Sequence, residues 1–231
     1  MIKPIAIHWF RRDLRLEDNA ALYYALRGSL PVLPLFIFDT TILDQLEDKS
    51  DKRVSFIHQT ILQLQQELAK LGSTVIVKQG NPVQIWKELL KEYTIKEVYT
   101  NHDYEPQAIK RDSEVAQLLK ANSAVLHTYK DQCILEKNEV LKDDGKPYTV
   151  FTPYKNKWLT RLTDFHLKPY PNKKYFNNFF KIDASTVPSL RELGFSDVSV
   201  NFASANIDES IVTHYEETRD IPGVLGTSRI I

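Results

Sequence analysis

The sequence has little cysteine, no surplus of either charge and no long apolar run, and each shortage excludes something. Its 231 residues include one cysteine, Cys133. An internal disulfide and a metal site built from several cysteines are therefore both excluded within the chain, which agrees with a reducing compartment. Lys+Arg and Asp+Glu both number 30, for zero net charge. Nucleic-acid binders carry a basic surplus, so this polypeptide by itself has no electrostatic ground for tight DNA binding. No apolar run approaches the roughly 20 residues that a membrane span needs. The N-terminus enters Ile5-Ala6-Ile7-His8-Trp9-Phe10 after a single basic residue, unlike a signal peptide. A soluble, cytoplasmic protein with no membrane partner is expected. Neither a G-x-G-x-x-G after the first strand nor a Walker A lysine loop is present, so ordinary dinucleotide or triphosphate binding is not expected. Internal repeats and low-complexity tracts are also missing.

What the chain does contain is alternation of strand and helix over residues 1–130. Ile5 to Phe10, Pro31 to Phe38, Thr74 to Val77, Glu97 to Thr100 and Ala124 to His127 read as strands. Near-continuous apolar runs mean burial on both faces, the mark of a parallel sheet. Between them lie helical patterns. Asp18 is the expected N-cap for Asn19 to Arg27, closed by Gly28. Val54, Ile57, Ile61, Leu64, Leu68 and Leu71 recur at steps of three and four up to Gly72. Asn81-Pro82 reads as a cap followed by a first-turn proline, with Trp86, Leu89 and Tyr93 on one face beyond it. A further helix is expected from Pro106 to Ala121. The fold expected is α/β: a Rossmann-like parallel sheet of five strands in the order 3-2-1-4-5, flanked by helices.

Beyond residue 130 the period changes. Asp143 to Pro147 reads as a turn, Tyr154 to Phe165 as a helix, and 166–200, with its prolines, asparagines and lysines, as an irregular connector. Phe202 to Tyr215 reads as another helix. Cys133 is expected to be buried, as are His8 and Trp9, both inside the first strand.

Ligands of open parallel sheets bind beyond the carboxyl ends of the strands, near the point where strand order reverses. Those ends supply Arg11, Arg12, Asp13 and Arg15, then Asp39, then Gln79, Gly80 and Asn81, then Asn101, His102, Asp103 and Glu105. A rim of both signs around an apolar interior suits a planar ligand with polar edges. The bland reading of the same charges is surface pairing or helix capping. At the other end, Gly226-Thr227-Ser228-Arg229 offers a close backbone approach, two hydroxyls and a guanidinium fork, the makings of a phosphate grip. Such a loop normally leads into more protein, so the chain reads as the front part of a longer flavoprotein.

Four blocks carry a resemblance. Trp9-Phe10-Arg11-Arg12-Asp13-Leu14-Arg15-Leu16-Glu17-Asp18-Asn19, then Asn101-His102-Asp103-Tyr104-Glu105-Pro106 with Arg111-Asp112, then Tyr148 to Tyr154 with Trp158, and finally Tyr215 with Arg219-Asp220-Ile221-Pro222 and Gly226-Thr227-Ser228-Arg229 resemble, in order, the signatures of the DNA photolyase and cryptochrome family. The resemblance implies an α/β antenna domain (1–130), a linker (131–200) and the incomplete start of a helical FAD-binding domain (201–231). It implies light absorbed by an antenna chromophore, energy passed to reduced FAD, and an electron that splits a cyclobutane pyrimidine dimer in damaged DNA bound by the helical domain. Tyr215, Thr227, Ser228 and Arg229 then match FAD contacts. Arg11, Asp39, Arg53, Asp103 and Glu105 match the antenna cleft. Where folate-type relatives carry an Asn-Glu pair, this chain has Gln107-Ala108, so a deazaflavin or flavin antenna is expected over folate. The resemblance assigns no catalytic residue to this stretch and no metal. Tyr148 to Tyr154 is expected to dock the linker on the α/β domain. A cryptochrome-type photoreceptor and a stand-alone flavin- or deazaflavin-binding module remain alternatives. The 231-residue polypeptide, a monomer, is expected to be inactive in repair alone.

Overall fold

A computed structural model describes residues 3–198, 209–221 and 223. Its frame is a five-stranded, all-parallel sheet of β1 (Ile5–Phe10), β2 (Val32–Asp39), β3 (Ile76–Gly80), β4 (Ile95–Asn101) and β5 (Val125–Tyr129), in the order β3-β2-β1-β4-β5. That is the expected Rossmann-like arrangement. Every residue of the central strand β1 is buried, which is why its sequence shows no polar alternation. Successive side chains still part to opposite faces. Ala6 and Phe10 join one core with α1 (Ala20–Arg27) and α3 (Lys52–Lys70); Ile5, Ile7 and Trp9 join the other with α4 (Pro82–Glu92) and α5 (Pro106–Ala121). A one-turn helix, α2 (Thr40–Leu43), follows β2 directly.

Helix ends largely obey their local chemistry. Asn81 caps α4 by accepting from the amides of Val83 (3.0 Å) and Gln84 (3.3 Å), with Pro82 in the first turn. The start of α1 corrects the expectation. Its N-cap is Asn19, whose Oδ1 accepts from Leu22 N at 3.1 Å. Asp18 instead takes a left-handed φ of 46° and accepts from the Tyr170 amide at 2.8 Å. Asx side chains tolerate that conformation, and it frees Asp18 to tie down the distant connector. β3 runs on to Gly80 and β5 to Tyr129, past their expected ends, because backbone pairing of Gln79 with Phe38 and of Tyr129 with Asn101 is indifferent to side-chain polarity.

After β5 the expectations hold less well. The turn at Asp143 to Pro147 is present, with Gly145 at φ 78° and its amide donating to Lys142 O at 2.9 Å. Cys133 is exposed, not buried, since it lies in irregular chain after β5. The helix α6 spans Phe151–Arg161 and buries nothing; Phe151 is 73% exposed. Tyr148 to Tyr154 therefore does not dock into the α/β core. Docking belongs to residues 170–195. Tyr170 and Tyr175 pack on Tyr23 of α1 at 5.2 and 5.6 Å between ring centroids. Asn178 donates to the carbonyls of Leu26, Gly28 and Leu30. Phe179 forms a parallel bridge with Val32, and the Phe180 amide donates to Val32 O at 2.8 Å. Of the helix expected over Phe202 to Tyr215, residues 209–215 are described: α7 (Glu209–Thr213) ends before His214, and a second one-turn helix, α8 (Tyr215–Thr218), begins at the expected end and runs past it. Among the described residues no helix is long and apolar enough to cross a membrane.

Candidate functional site

The carboxyl ends of β1, β2 and β4, the starts of α3, α4 and α5 and the one-turn α2 surround a hollow of about 710 Å³. Arg11, Asp39, Arg53, Asp103 and Glu105 all line it. Its floor is apolar and aromatic, with Trp9, Phe36, Phe38, Val54 and Ile57. Its volume lies within the range of small-molecule and cofactor sites.

Each rim group is fixed by particular partners. Arg11 donates to both Asp112 carboxylate oxygens (2.8 and 2.6 Å) and to the Asn101 carbonyl. Its guanidinium lies 5.2 Å from the Trp9 ring centroid, and that of Arg111 lies 5.1 Å from it. Two cations on one indole make Trp9 a stiff base for the hollow. Asp103 is 3.4 Å from Arg12 Nε and 3.8 Å from Arg111, and Glu105 is 2.8 Å from Arg12. Burial disfavours the charge on Arg12, but Asp103 and Glu105 outweigh it and raise its pKa. Asp39 caps α2, accepting from the Thr41 amide (2.9 Å) and hydroxyl (2.6 Å) through one oxygen, Oδ1. Arg53 pairs with Asp51, the N-cap of its own helix, and its hydrogen bond holds the Asp51 carboxyl below the usual carboxylate range. With a side chain 76% exposed, Arg53 stands at the open lip.

The opening signature block divides between two tasks. Arg11 and Arg12 reach the hollow. Asp13 turns inward to a buried polar knot: its carboxylate accepts from the Arg11 amide (2.9 Å), from Asn19 Nδ2 (3.1 Å) and from Asn101 Nδ2. Asn101 Oδ1 in turn accepts from the Ala21 amide at 2.9 Å. Arg15 pairs with Asp131 at 2.8 Å, and the other Asp131 oxygen accepts from the Ala20 amide at 2.9 Å. Arg15, His102 and Asp131 line a smaller, adjoining hollow of about 370 Å³ that shares Arg11, Arg12 and Asp103 with the larger one. Of the expected FAD contacts, Tyr215 lines neither hollow. Tyr215, in α8, is exposed, and Thr227, Ser228 and Arg229 lie outside the described residues.

Comparison with known proteins decides the ancestry. The DNA photolyase family model matches residues 6–174. The chain belongs to the DNA photolyase family. A deoxyribodipyrimidine photo-lyase of a Synechococcus strain is 29% identical across 99% of this chain and 50% of its own length, and that of Escherichia coli is 29% identical across 96% and 49%. An uncharacterized 31.6 kDa protein of another Synechococcus strain is 28% identical across 99% of this chain and 83% of its own length. Against the curated photolyases, then, the chain spans about half their length. Among solved structures, an archaeal photolyase from Sulfolobus tokodaii with two FAD molecules superposes with a TM-score of 0.57 at 33% identity, over 67% of this chain and 34% of that one. A bacterial class III photolyase from Agrobacterium tumefaciens gives 0.58 at 27%, over 66% and 31%. A Synechocystis cryptochrome shares the fold, with a TM-score of 0.72 over 95% of this chain.

Among the lining residues of this photolyase-family domain that were not expected antenna contacts are Trp9, Arg12, named only as part of the strand-end rim, and Arg111. Helical spacing held a signal for the last. Gln107, Arg111 and Glu114 fall four and three residues apart on the first turns of a helix that starts at the rim, so they share the face that lines the hollow.

Proposed function

We propose that this chain is the N-terminal, antenna-bearing part of a light-driven deoxyribodipyrimidine photolyase, and that the hollow above Trp9 seats a flat chromophore of the deazaflavin or flavin class. The observation that carries this reading is the meeting of Arg11, Asp39, Arg53, Asp103 and Glu105 around one apolar floor, where an open parallel sheet binds its ligands. The donor set fits such a group. Asp39 has an oxygen not taken by Thr41, and carboxylates accept from ring N–H groups or ribityl hydroxyls. Phe36, Phe38, Val54 and Ile57 exclude water from the flat face. Arg53, planar, exposed at the lip and held by Asp51, is suited to stack over the opposite face. The first turn of α5 has no side-chain cap, so its amides are available to an electronegative edge of the ligand. Once bound, the chromophore would collect light and hand its excitation energy onward. Gln107 and Ala108 border the hollow where folate-type relatives carry an Asn-Glu pair, which favours a flavin-like ligand. The Sulfolobus tokodaii relative, described with two FAD molecules and a novel light-harvesting cofactor, agrees with that class.

Tyr215, Thr227, Ser228 and Arg229 are proposed to begin the FAD seat, with damaged DNA as the partner of the complete photolyase and a monomer as the working form. The test is a fluorescence titration of the purified chain with FMN, 8-hydroxy-5-deazariboflavin and methenyltetrahydrofolate in turn. One of the first two binds, and Asp103→Ala weakens that binding about tenfold or more, as expected for a hydrogen bond to a charged group, while the melting temperature changes little. Binding of folate alone would overturn the chromophore class. Binding of none of the three, or an unchanged affinity in Asp103→Ala, would overturn the site.

A further inference from the structure

We infer that Glu136, a residue outside the hollow, positions Asp103 within it. The inference rests on the hollow being a ligand site. Asp103 belongs to the short span between the end of β4 at Asn101 and the start of α5 at Pro106. The two side chains flanking it, His102 and Tyr104, both reach the same carboxylate. His102 Nδ1 lies 2.8 and 2.9 Å from the two Glu136 oxygens, and the Tyr104 hydroxyl donates to Glu136 Oε2. His102 Nε2 meets the Thr128 hydroxyl at 3.0 Å, and the His102 amide donates to Tyr129 O at 2.7 Å. A ring protonated on Nδ1 satisfies both of its side-chain contacts.

The span is therefore held from two sides. Arg12 and Arg111 hold the Asp103 carboxylate toward the hollow. Glu136 grips its neighbours from behind. Arg12 is 54% exposed at its side chain, a weak anchor in high dielectric, whereas Glu136 is 11% exposed. The charges around Glu136 are few. Lys137 Nζ lies 3.6 Å from it, and Glu139 accepts from its amide at 2.6 Å while paired with Lys130 at 2.7 Å. Cys133 and Tyr154 border the small adjoining cavity of about 210 Å³. Burial alone would raise the Glu136 pKa, but the hydrogen bonds from Tyr104 and His102 outweigh it and lower the pKa. The clamp is thus a carboxylate at neutral pH, accepting from both sides. A supporting group one step removed from a ligand sets the geometry that the contacting group needs.

Two measurements on the full chain test the clamp. Backbone order parameters for residues 103–105 read it directly. FMN affinity, in a cycle with Asp103→Ala, reads its consequence. Glu136→Ala is expected to drop the order parameters from about 0.85 to below about 0.6 and to weaken FMN about tenfold. In the Asp103→Ala background it is expected to cost no further affinity. Glu136→Gln, which keeps an acceptor for Tyr104, is expected to recover most of both. Unchanged order parameters in Glu136→Ala would overturn the inference, as would an equal loss of affinity with and without Asp103. If the wild-type chain binds no FMN, the cycle is run with 8-hydroxy-5-deazariboflavin; if it binds none of the three chromophores, the ligand reading of the hollow fails separately, and the order parameters alone decide whether Glu136 holds the span.

Discussion

Asp13, Asn19 and Asn101 show how one stretch of sequence divides its labour among single residues. Their side chains satisfy one another and the first amides of α1 in a site closed to water. Removing one member strands the others, which costs more than the lost bond. Asn101→Ala is expected to lower stability by about 2–4 kcal/mol, measured by urea unfolding, without touching the lining of the larger hollow. His8 makes a second case. Its ring is fully buried, neither nitrogen has a hydrogen-bond partner, and burial lowers its pKa from 6.5 to about 4, despite Asp13 at 4.0 Å. Between those values the unfolded chain takes up a proton that the folded one refuses, so stability is full above about pH 6.5 and falls as the pH drops toward 4. The loss amounts to about 3 kcal/mol. His8→Leu should abolish that acid limb in unfolding curves taken across the window, at little cost at pH 7, because no hydrogen bond is given up. The burial of His8 was expected from its place in the first strand and is found, but nothing in the sequence announced its lack of partners or the Asp13–Asn19–Asn101 knot. The charge pattern of Arg11 to Arg15 was legible, but which groups turn inward depends on Asn101 and Asp131, both far away in the chain.

Elements were easier to read than their contacts. Repeating apolar residues set the helices, and unbroken β-branched and aromatic runs set the buried strands, because both signals are local. The α5 limits agree with the expectation residue for residue, fixed by Pro106 at one end and the close of the apolar pattern at the other. The connector was not legible in the same way. Its aromatic residues, Tyr175, Phe176, Phe179 and Phe180, follow no period, so nothing local said that they, and not Tyr148 to Tyr154, find the core. The contrast is measurable. Phe179→Ala should cost about 3–5 kcal/mol, since Phe179 is 1% exposed, whereas Phe151→Ala on the uncovered α6 should stay within about 0.5 kcal/mol. Paired denaturation curves of the two variants check this, and equal costs would contradict the packing described.

At the scale of the whole molecule, the site was legible because strand order and ligand position are linked by topology. Once the order 3-2-1-4-5 was inferred, the strand ends named Arg11, Asp39 and Asp103 as neighbours, although they are far apart in sequence. Charge balance acts at this scale too. With 30 residues of each sign, the chain has no surplus cations with which to release counterions, so its affinity for duplex DNA carrying a pyrimidine dimer should be no tighter than about micromolar at physiological salt. A gel-shift or anisotropy titration over a salt series reads this, and a steep salt slope with tighter binding would overturn it. The connector, finally, governs where the polypeptide can be shortened. Phe179 seals the face shared by α1 and α3, while Phe180 and Ile182 lean on the opposite one, so this late segment works as a belt buckled through both halves of the body. A protease cut or a truncation just after Tyr129 would unbuckle both at once, leaving the Val32 and Gly72 carbonyls without their donors and baring oily surface on two sides, and the shortened product should clump instead of staying dispersed.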